Sequence, residues 1–131
     1  MHRFVPAEEF QRVLAFDAPP FARLRLIADM ARMQTLSAVQ RAGSGHPGTS
    51  FSAMEIFVYL YLHALDVARL GPEHPDRDVF FSSKGHDCPA QYVVMAVAGL
   101  LPLAATKQLR RLGGLEGHPD VGTPGIEAHT G

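Results

Sequence analysis

The sequence lacks the features that mark secreted, membrane-spanning and nucleic-acid-binding chains. It has a single cysteine, Cys88, so an internal disulfide is excluded and a reducing, cytoplasmic location is expected. The longest apolar run, residues 93–101, is well short of the about 20 residues that a membrane-spanning helix needs. The formal net charge of −1 does not favour a nucleic acid as partner. The first ten residues carry Glu8 and Glu9 and no apolar run, so we expect no secretory signal there.

The composition is that of one globular domain with a modest core. Hydrophobic residues make up 47% of the 131 residues, which is ordinary for a folded chain. We interpret residues 1–20 as an N-terminal arm. The periodicity then predicts an amphipathic helix over residues 21–41, with Leu26, Met30 and Met33 on its apolar face.

A second helix is predicted over residues 52–65. Ser52 and Glu55 have the spacing of a capping box, which would set its first turn. The helix is apolar nearly all round, and such a helix is buried in a domain or under a partner. On the first helix, Arg25 and Arg32 share a face that we expect to be solvated.

The second half of the chain predicts a strand, two more helices and a long loop. Residues 78–82 are rich in β-forming side chains. A helix is expected over residues 87–99, with Pro89 tolerated in its first turn, and another over residues 102–112. Residues 115–131 form a loop rich in Gly and Pro, and a loop of that length is usually functional. The fragment should therefore be mostly helical with one or two short strands.

The candidate functional residues lie in three turns that each place a histidine after a glycine. These are Ser-Gly-His-Pro-Gly at 44–48, Ser-Lys-Gly-His at 83–86 and Gly-His-Pro-Asp at 117–120. Turns carried by a packed scaffold often hold function, and glycine allows a ligand to approach the backbone closely. The alternative is that these are simply turns, because Pro and Gly punctuate chains everywhere.

The three turns also resemble a known family. With Asp-Arg-Asp-Val-Phe-Phe-Ser at 76–82, Thr-Pro-Gly-Ile-Glu at 123–127 and Thr-Gly at 130–131, their order and approximate spacing resemble the opening part of a transketolase. The Ser-Lys-Gly-His form most resembles the amino-terminal subunits of split bacterial transketolases. The resemblance covers about residues 21–131. It implies an α/β thiamine diphosphate-binding domain that is incomplete at its C-terminal end.

The resemblance also implies roles for individual residues. His86 matches a histidine that approaches the diphosphate of thiamine diphosphate, and Gly131 matches the start of a segment that touches this cofactor. His46 matches a histidine that contacts the sugar substrate, and His118 matches one near the substrate hydroxyls and the reacting carbon, where an imidazole can transfer protons. Lys84 either helps to bind phosphate or is simply exposed to solvent.

Other parts of the family's site are missing from these 131 residues. The Gly-Asp-Gly motif followed by an Asn, which holds Mg²⁺ and the diphosphate in the family, is absent. So is the domain whose glutamate activates the thiamine ring. We therefore expect no metal ligands in this chain, and we expect the remainder of the diphosphate domain and the pyrimidine domain to come from elsewhere. A zinc site on His86 and Cys88 is a weaker alternative, because no second ligand cluster is present.

The function that the resemblance implies is transfer of a two-carbon ketol unit between sugar phosphates. It would require a partner chain or the missing remainder, in an oligomer. Two alternatives stay open: a non-catalytic relic that acts as an interaction module, and another thiamine diphosphate enzyme of this fold, such as a deoxyxylulose phosphate synthase.

Overall fold

The structure, a computed structural model, describes residues 3–131 and is built from helices joined by turns. Its helical elements follow in this order: α1 Ala7–Ala15, α2 Pro20–Ala42, α3 Pro47–Ser52, α4 Met54–Tyr59, a π-helical turn Leu60–Ala64, α5 Val67–Leu70, α6 Cys88–Val97 and a 3-10 helix Leu103–Gln108. None of the helices within residues 3–131 is both long enough and apolar enough to cross a bilayer.

The long helix α2 supports most of the fold, because α1, α3, α4, α6 and the 3-10 helix all pack against it. Its predicted extent is confirmed, and Gly43 ends it in the left-handed conformation with φ 73°. The predicted apolar face is wrong, since Leu26 and Met33 are 50% and 59% exposed. The buried face carries Ile27 and small residues such as Ala31, and small residues let neighbouring helices approach closely.

The N-terminal arm contains a helix that packs on the core. Phe10 of α1 is 1% exposed and belongs to the core cluster. The buried amide of Gln34 joins three segments: its Oε1 accepts from the Val5 N–H at 2.8 Å, and its Nε2 donates to Thr106 Oγ1 at 2.9 Å. Residues 1 and 2 of the predicted arm lie outside the described residues.

Helix α4 and the π-helical turn after it cover most of the predicted range 52–65, and the short helix α3 precedes them. Helix α3 starts at Pro47, and Ser52 ends it by donating to the Thr49 carbonyl at 3.1 Å. Glu55 does not cap a helix but pairs with Arg32 of α2 at 2.5 Å. This hydrogen bond holds the pKa of Glu55 below its usual value. The side chain of Arg32 was expected on a solvated face, but it reaches from α2 to α4 and is partly buried there.

Helix α6 forms the centre of the core. All ten of its residues are buried, and Gly99 follows it with φ 87°, as the sequence predicted. The helix predicted over residues 102–112 is shorter than expected. It is a 3-10 helix that ends at Gln108, because Arg110 has φ 55° and its N–H donates to the Leu115 carbonyl at 2.7 Å.

The strand predicted over residues 78–82 does not form. Within residues 3–131 the single ladder contact is an isolated bridge between Leu109 and Leu115, so the segment has no neighbouring strand to pair with. Its side chains still alternate as in a strand. Phe80 packs edge-to-face on Phe57 and Tyr61, whose ring centroids lie 5.9 and 5.8 Å away, whereas its chain neighbours are exposed.

Several large apolar side chains of this segment and of α4 are exposed. Val79 and Phe81 are 60% and 56% exposed, and Ile56 and Tyr59 of α4 are 60% and 45% exposed. Exposed apolar residues in this number favour association with another chain or copy.

We expect the purified 131-residue chain to self-associate in sedimentation velocity and to bind a hydrophobic dye. The double variant Val79→Lys/Phe81→Lys should reduce both signals, because charge on an unpaired extended segment opposes pairing. Leu112→Lys, at a leucine in another loop that is fully exposed, should change neither. A compact monomer of the parent chain without dye binding would contradict this expectation.

Candidate functional site

Two of the predicted histidines lie side by side. His46 immediately precedes α3, and His86 is separated from α6 only by Asp87, its N-cap residue. The ring centroids of His46 and His86 are 5.3 Å apart, and the rings meet at 67°, edge to face. The turns at 44–48 and 83–86 are thus one site, although the two histidines are 40 positions apart in the sequence.

The other two predicted residues, His118 and Gly131, lie against each other, and Gly131 also contacts Gly85. A Cβ built on Gly85 would lie 2.5 Å from the Gly131 Cα, and a Cβ built on Gly131 would lie 2.5 Å from His118 Cδ2. Gly85 also has φ 61°, a conformation that favours glycine. The contact of Gly85 with Gly131 therefore joins the pair His46 and His86 to His118, and three segments of the chain meet here.

The His86 imidazole is held in a defined orientation. Its Nδ1 lies 2.5 Å from the Lys84 carbonyl oxygen, and since a carbonyl can only accept, Nδ1 is the protonated nitrogen. Nε2 is then the nitrogen left for a ligand. His46 and His118 are exposed and His86 is half-buried, so the three imidazoles stand on an open surface rather than inside a closed cleft.

Three unpaired buried oxygens belong to residues close in the chain to His46 and Gly131. Within residues 3–131, the side-chain oxygens of Thr49, Ser50 and Thr130 are buried and have no hydrogen-bond partner. Thr49 and Ser50 lie in α3, directly after the His46 turn, and Thr130 precedes Gly131. Buried hydroxyls without partners are costly and often mark a ligand or water position.

Sequence reasoning passed over the carboxylate of Asp87, which is 2% exposed beside His86. Its Oδ2 accepts from Ser82 Oγ at 2.8 Å, while Oδ1 has no partner within the described residues. The position of Asp87 in the sequence could have indicated it. Asp is a preferred N-cap residue, and Asp87 stands where α6 begins, although its side chain makes no capping bond.

Cys88 is a buried thiol. Burial raises its pKa to about 12, so the sulfur carries its proton at neutral pH and is unsuited to metal binding in that state. No group of three or more His, Cys, Asp or Glu side chains within residues 3–131 is arranged to hold a metal ion. The structure gives the zinc alternative on His86 and Cys88 no support.

An ion pair fixes the C-terminal loop that brings Gly131 to the histidines. Arg77 Nε and Nη2 donate to the two carboxylate oxygens of Glu127 at 2.8 and 2.7 Å. The two side chains are only 22% and 15% exposed. The hydrogen bonds to Glu127 raise the pKa of Arg77 above its usual value. Neighbouring Ile126 is buried, so polar and apolar contacts together hold this loop.

Comparisons with known proteins identify the family of the chain. Residues 24–131 match the family described as transketolase, thiamine diphosphate binding domain, and the chain belongs to that family. Transketolase of Mus musculus is 39% identical over 108 residues, which are 79% of this chain and 17% of that protein. The chromosomal transketolase of Cupriavidus necator is 37% identical over 107 residues, 79% of this chain and 16% of that protein.

A shorter relative is one of the subunits of the apulose-4-phosphate transketolase of Phocaeicola vulgatus. It is 35% identical over 112 residues, which are 82% of this chain and 39% of that relative. The chain thus spans less than a fifth of the two longer transketolases and about two fifths of the shorter relative. The predicted resemblance to transketolases, including split ones, is confirmed.

The contact between Gly85 and the chain end can be tested with a matched pair of glycine variants. Gly85→Ala and Gly99→Ala both place a side chain at positive φ, which costs about 1–2 kcal/mol each. At Gly85 the new Cβ would also collide with Gly131, whereas a Cβ built on Gly99 has no atom within 4 Å. Hydrogen exchange followed by mass spectrometry should therefore show faster exchange of residues 126–131 in Gly85→Ala alone. Equal exchange there in both variants would show that the two segments do not meet.

Proposed function

We propose that this chain supplies the diphosphate-contacting and sugar-contacting residues of a transketolase-type enzyme that transfers a two-carbon ketol unit between sugar phosphates. The observation that carries the proposal is the convergence of His46, His86, His118 and Gly131 from three segments of the chain. Membership of the thiamine diphosphate-binding family supports it, because all four residues lie inside the matched region.

The residues around His86 suit a diphosphate. In its imidazolium form His86 can donate from Nε2 to a phosphate oxygen while Nδ1 stays on the Lys84 carbonyl. Gly131 lies exposed against the buried Gly85, and the unpaired Thr130 hydroxyl can donate as well. Lys84 is exposed on the same turn and adds positive charge. When bound, thiamine diphosphate would stabilise the carbanion that forms when a ketose is cleaved.

His46 and His118 flank that position and are exposed to an incoming sugar. Each imidazole can hold or accept a proton at a sugar hydroxyl, which is the proton transfer that cleavage and formation of a ketol require. His46 lies against His86, and His118 lies against Gly131, so both would stand next to the bound diphosphate end rather than remote from it.

The remainder of the site would come from outside residues 3–131. The Mg²⁺ that neutralises the diphosphate needs oxygen ligands, and no such cluster is present among the described residues. We propose that a partner chain, or the rest of a longer protein, carries the metal ligands and the pyrimidine domain. The Phocaeicola vulgatus relative is named as one subunit of its transketolase, which supports an arrangement of separate chains. We place this assembly in the cytoplasm as an oligomer, with sugar phosphates as substrates.

Two histidine variants should separate cofactor binding from sugar use. In the completed complex, His86→Ala should weaken thiamine diphosphate binding about tenfold to a hundredfold, the effect of losing one charged hydrogen bond. His46→Ala should leave that affinity within about threefold and lower kcat/KM for the sugar. Calorimetric titration of the cofactor and steady-state kinetics measure the two effects.

The matched control is His63→Ala. His63 is an exposed histidine that packs on Phe21 and Tyr59 and touches none of the site residues. The His63→Ala variant should leave both the thiamine diphosphate affinity and kcat/KM for the sugar unchanged. Parent-like cofactor affinity in His86→Ala would remove His86 from the site. A complex that binds no thiamine diphosphate at all would favour the non-catalytic interaction module.

The 131-residue chain alone should not catalyse ketol transfer. Its three imidazoles stand on an open surface, whereas positioning a reactive carbon requires a cleft that excludes water. The assay combines purified chain, thiamine diphosphate, Mg²⁺ and a ketose–aldose pair, and follows aldose release. Turnover above the no-protein control that disappears in His86→Ala would contradict this prediction.

A further inference from the structure

Two buried side chains of α6 hold the turn that carries His118. The Cys88 thiol donates to the Gly117 carbonyl at a sulfur–oxygen distance of 3.1 Å. The Tyr92 hydroxyl donates to the His118 carbonyl at 3.2 Å. Cys88 and Tyr92 are four residues apart on α6, so they lie on one face of the helix. They are 0% and 1% exposed.

The two accepting carbonyls belong to the peptide groups on either side of the His118 Cα. Holding both peptide planes fixes φ and ψ of His118, and the backbone dihedrals direct the side chain. Pro119 follows and has a restricted φ of its own. The exposed imidazole of His118 is thereby aimed at Gly131, although little packs on the ring from the solvent side.

Both donors keep their protons over the physiological range. Burial raises the pKa of the Cys88 thiol to about 12, and burial also raises the pKa of the Tyr92 hydroxyl above its usual value. A neutral thiol and a neutral phenol can both donate, so these two hydrogen bonds to the turn persist at neutral pH.

We propose that Cys88 and Tyr92 are positioning residues for His118, beyond their part in the hydrophobic core. The role assigned to His118 in sugar use rests on the function proposed above, whereas its placement by these two hydrogen bonds does not. The two can be tested separately, because backbone exchange near His118 needs neither cofactor nor substrate.

The first test is hydrogen exchange of the full chain, read by mass spectrometry over residues 115–121. Tyr92→Phe and Cys88→Ala should each speed exchange there about two- to tenfold, as expected for loss of one neutral hydrogen bond. Cys88→Ser, which restores a donor at the same place, should return exchange towards the parent rate.

The matched control is Tyr61→Phe. Tyr61 is also a buried tyrosine, 2% exposed, but its hydroxyl bonds Gln91 at 3.0 Å and does not touch the turn. The Tyr61→Phe variant also removes a buried tyrosine hydroxyl and should leave the exchange rate of residues 115–121 unchanged. If Tyr92→Phe and Tyr61→Phe speed exchange over 115–121 equally, or if neither does, the positioning role is wrong.

The second test uses the completed complex. Tyr92→Phe should lower kcat/KM for the sugar while thiamine diphosphate affinity stays within about twofold of the parent. The kcat/KM of Cys88→Ser for the sugar should be higher than that of Cys88→Ala. A purely structural defect would reduce cofactor binding and sugar use together, which would overturn the proposal. Faster exchange at 115–121 with no change in sugar kinetics would instead overturn the role of His118 and leave its placement intact.

Discussion

The burial of α6 is the constraint on which the rest of the structure depends. All ten residues of this helix are inside, and α2, α3, α4 and the 3-10 helix pack around it. The turn before its first residue carries Gly85 and His86, and its first turns contact the segment that carries His118. A rigid, fully buried helix thus sets the positions of two site histidines whose own side chains reach solvent. Exposed imidazoles on such a support can meet a ligand without a large ordering cost.

The candidate site residues could be chosen from the sequence because they come in turn motifs. Each turn places a histidine next to a glycine, and the order of the turns is typical of the transketolase family. The contacts of His46 with His86, and of Gly131 with His118, could not be predicted from any local pattern and are seen only in the structure. Ranges such as 21–41 and 87–99 were predictable as well, because Gly43 and Gly99 end these helices with positive φ.

Three expectations failed for tertiary reasons. Hydrophobicity alone assigned Leu26 and Met33 to the core, but close helix packing selected small residues of α2 instead. Glu55 matched a capping pattern, yet the Arg32 guanidinium from another helix competed for its carboxylate. Residues 78–82 have strand propensity, but a strand exists only when its backbone finds a partner, and none lies within residues 3–131. The α/β character of the family domain is therefore an expectation for the completed assembly and is absent from the described part of this chain.

The central claim is that His86 binds the diphosphate of thiamine diphosphate in a site completed by further protein. The most direct measurement is a magnetic-resonance distance between phosphorus of the bound cofactor and the Nε2 nitrogen of ¹⁵N-labelled histidine in the reconstituted complex. The account predicts a hydrogen-bonded contact for His86, about 4 Å or less between nitrogen and phosphorus from ordinary bond geometry, and none for His63. A complex that holds the cofactor firmly with no such contact to His86 would contradict it.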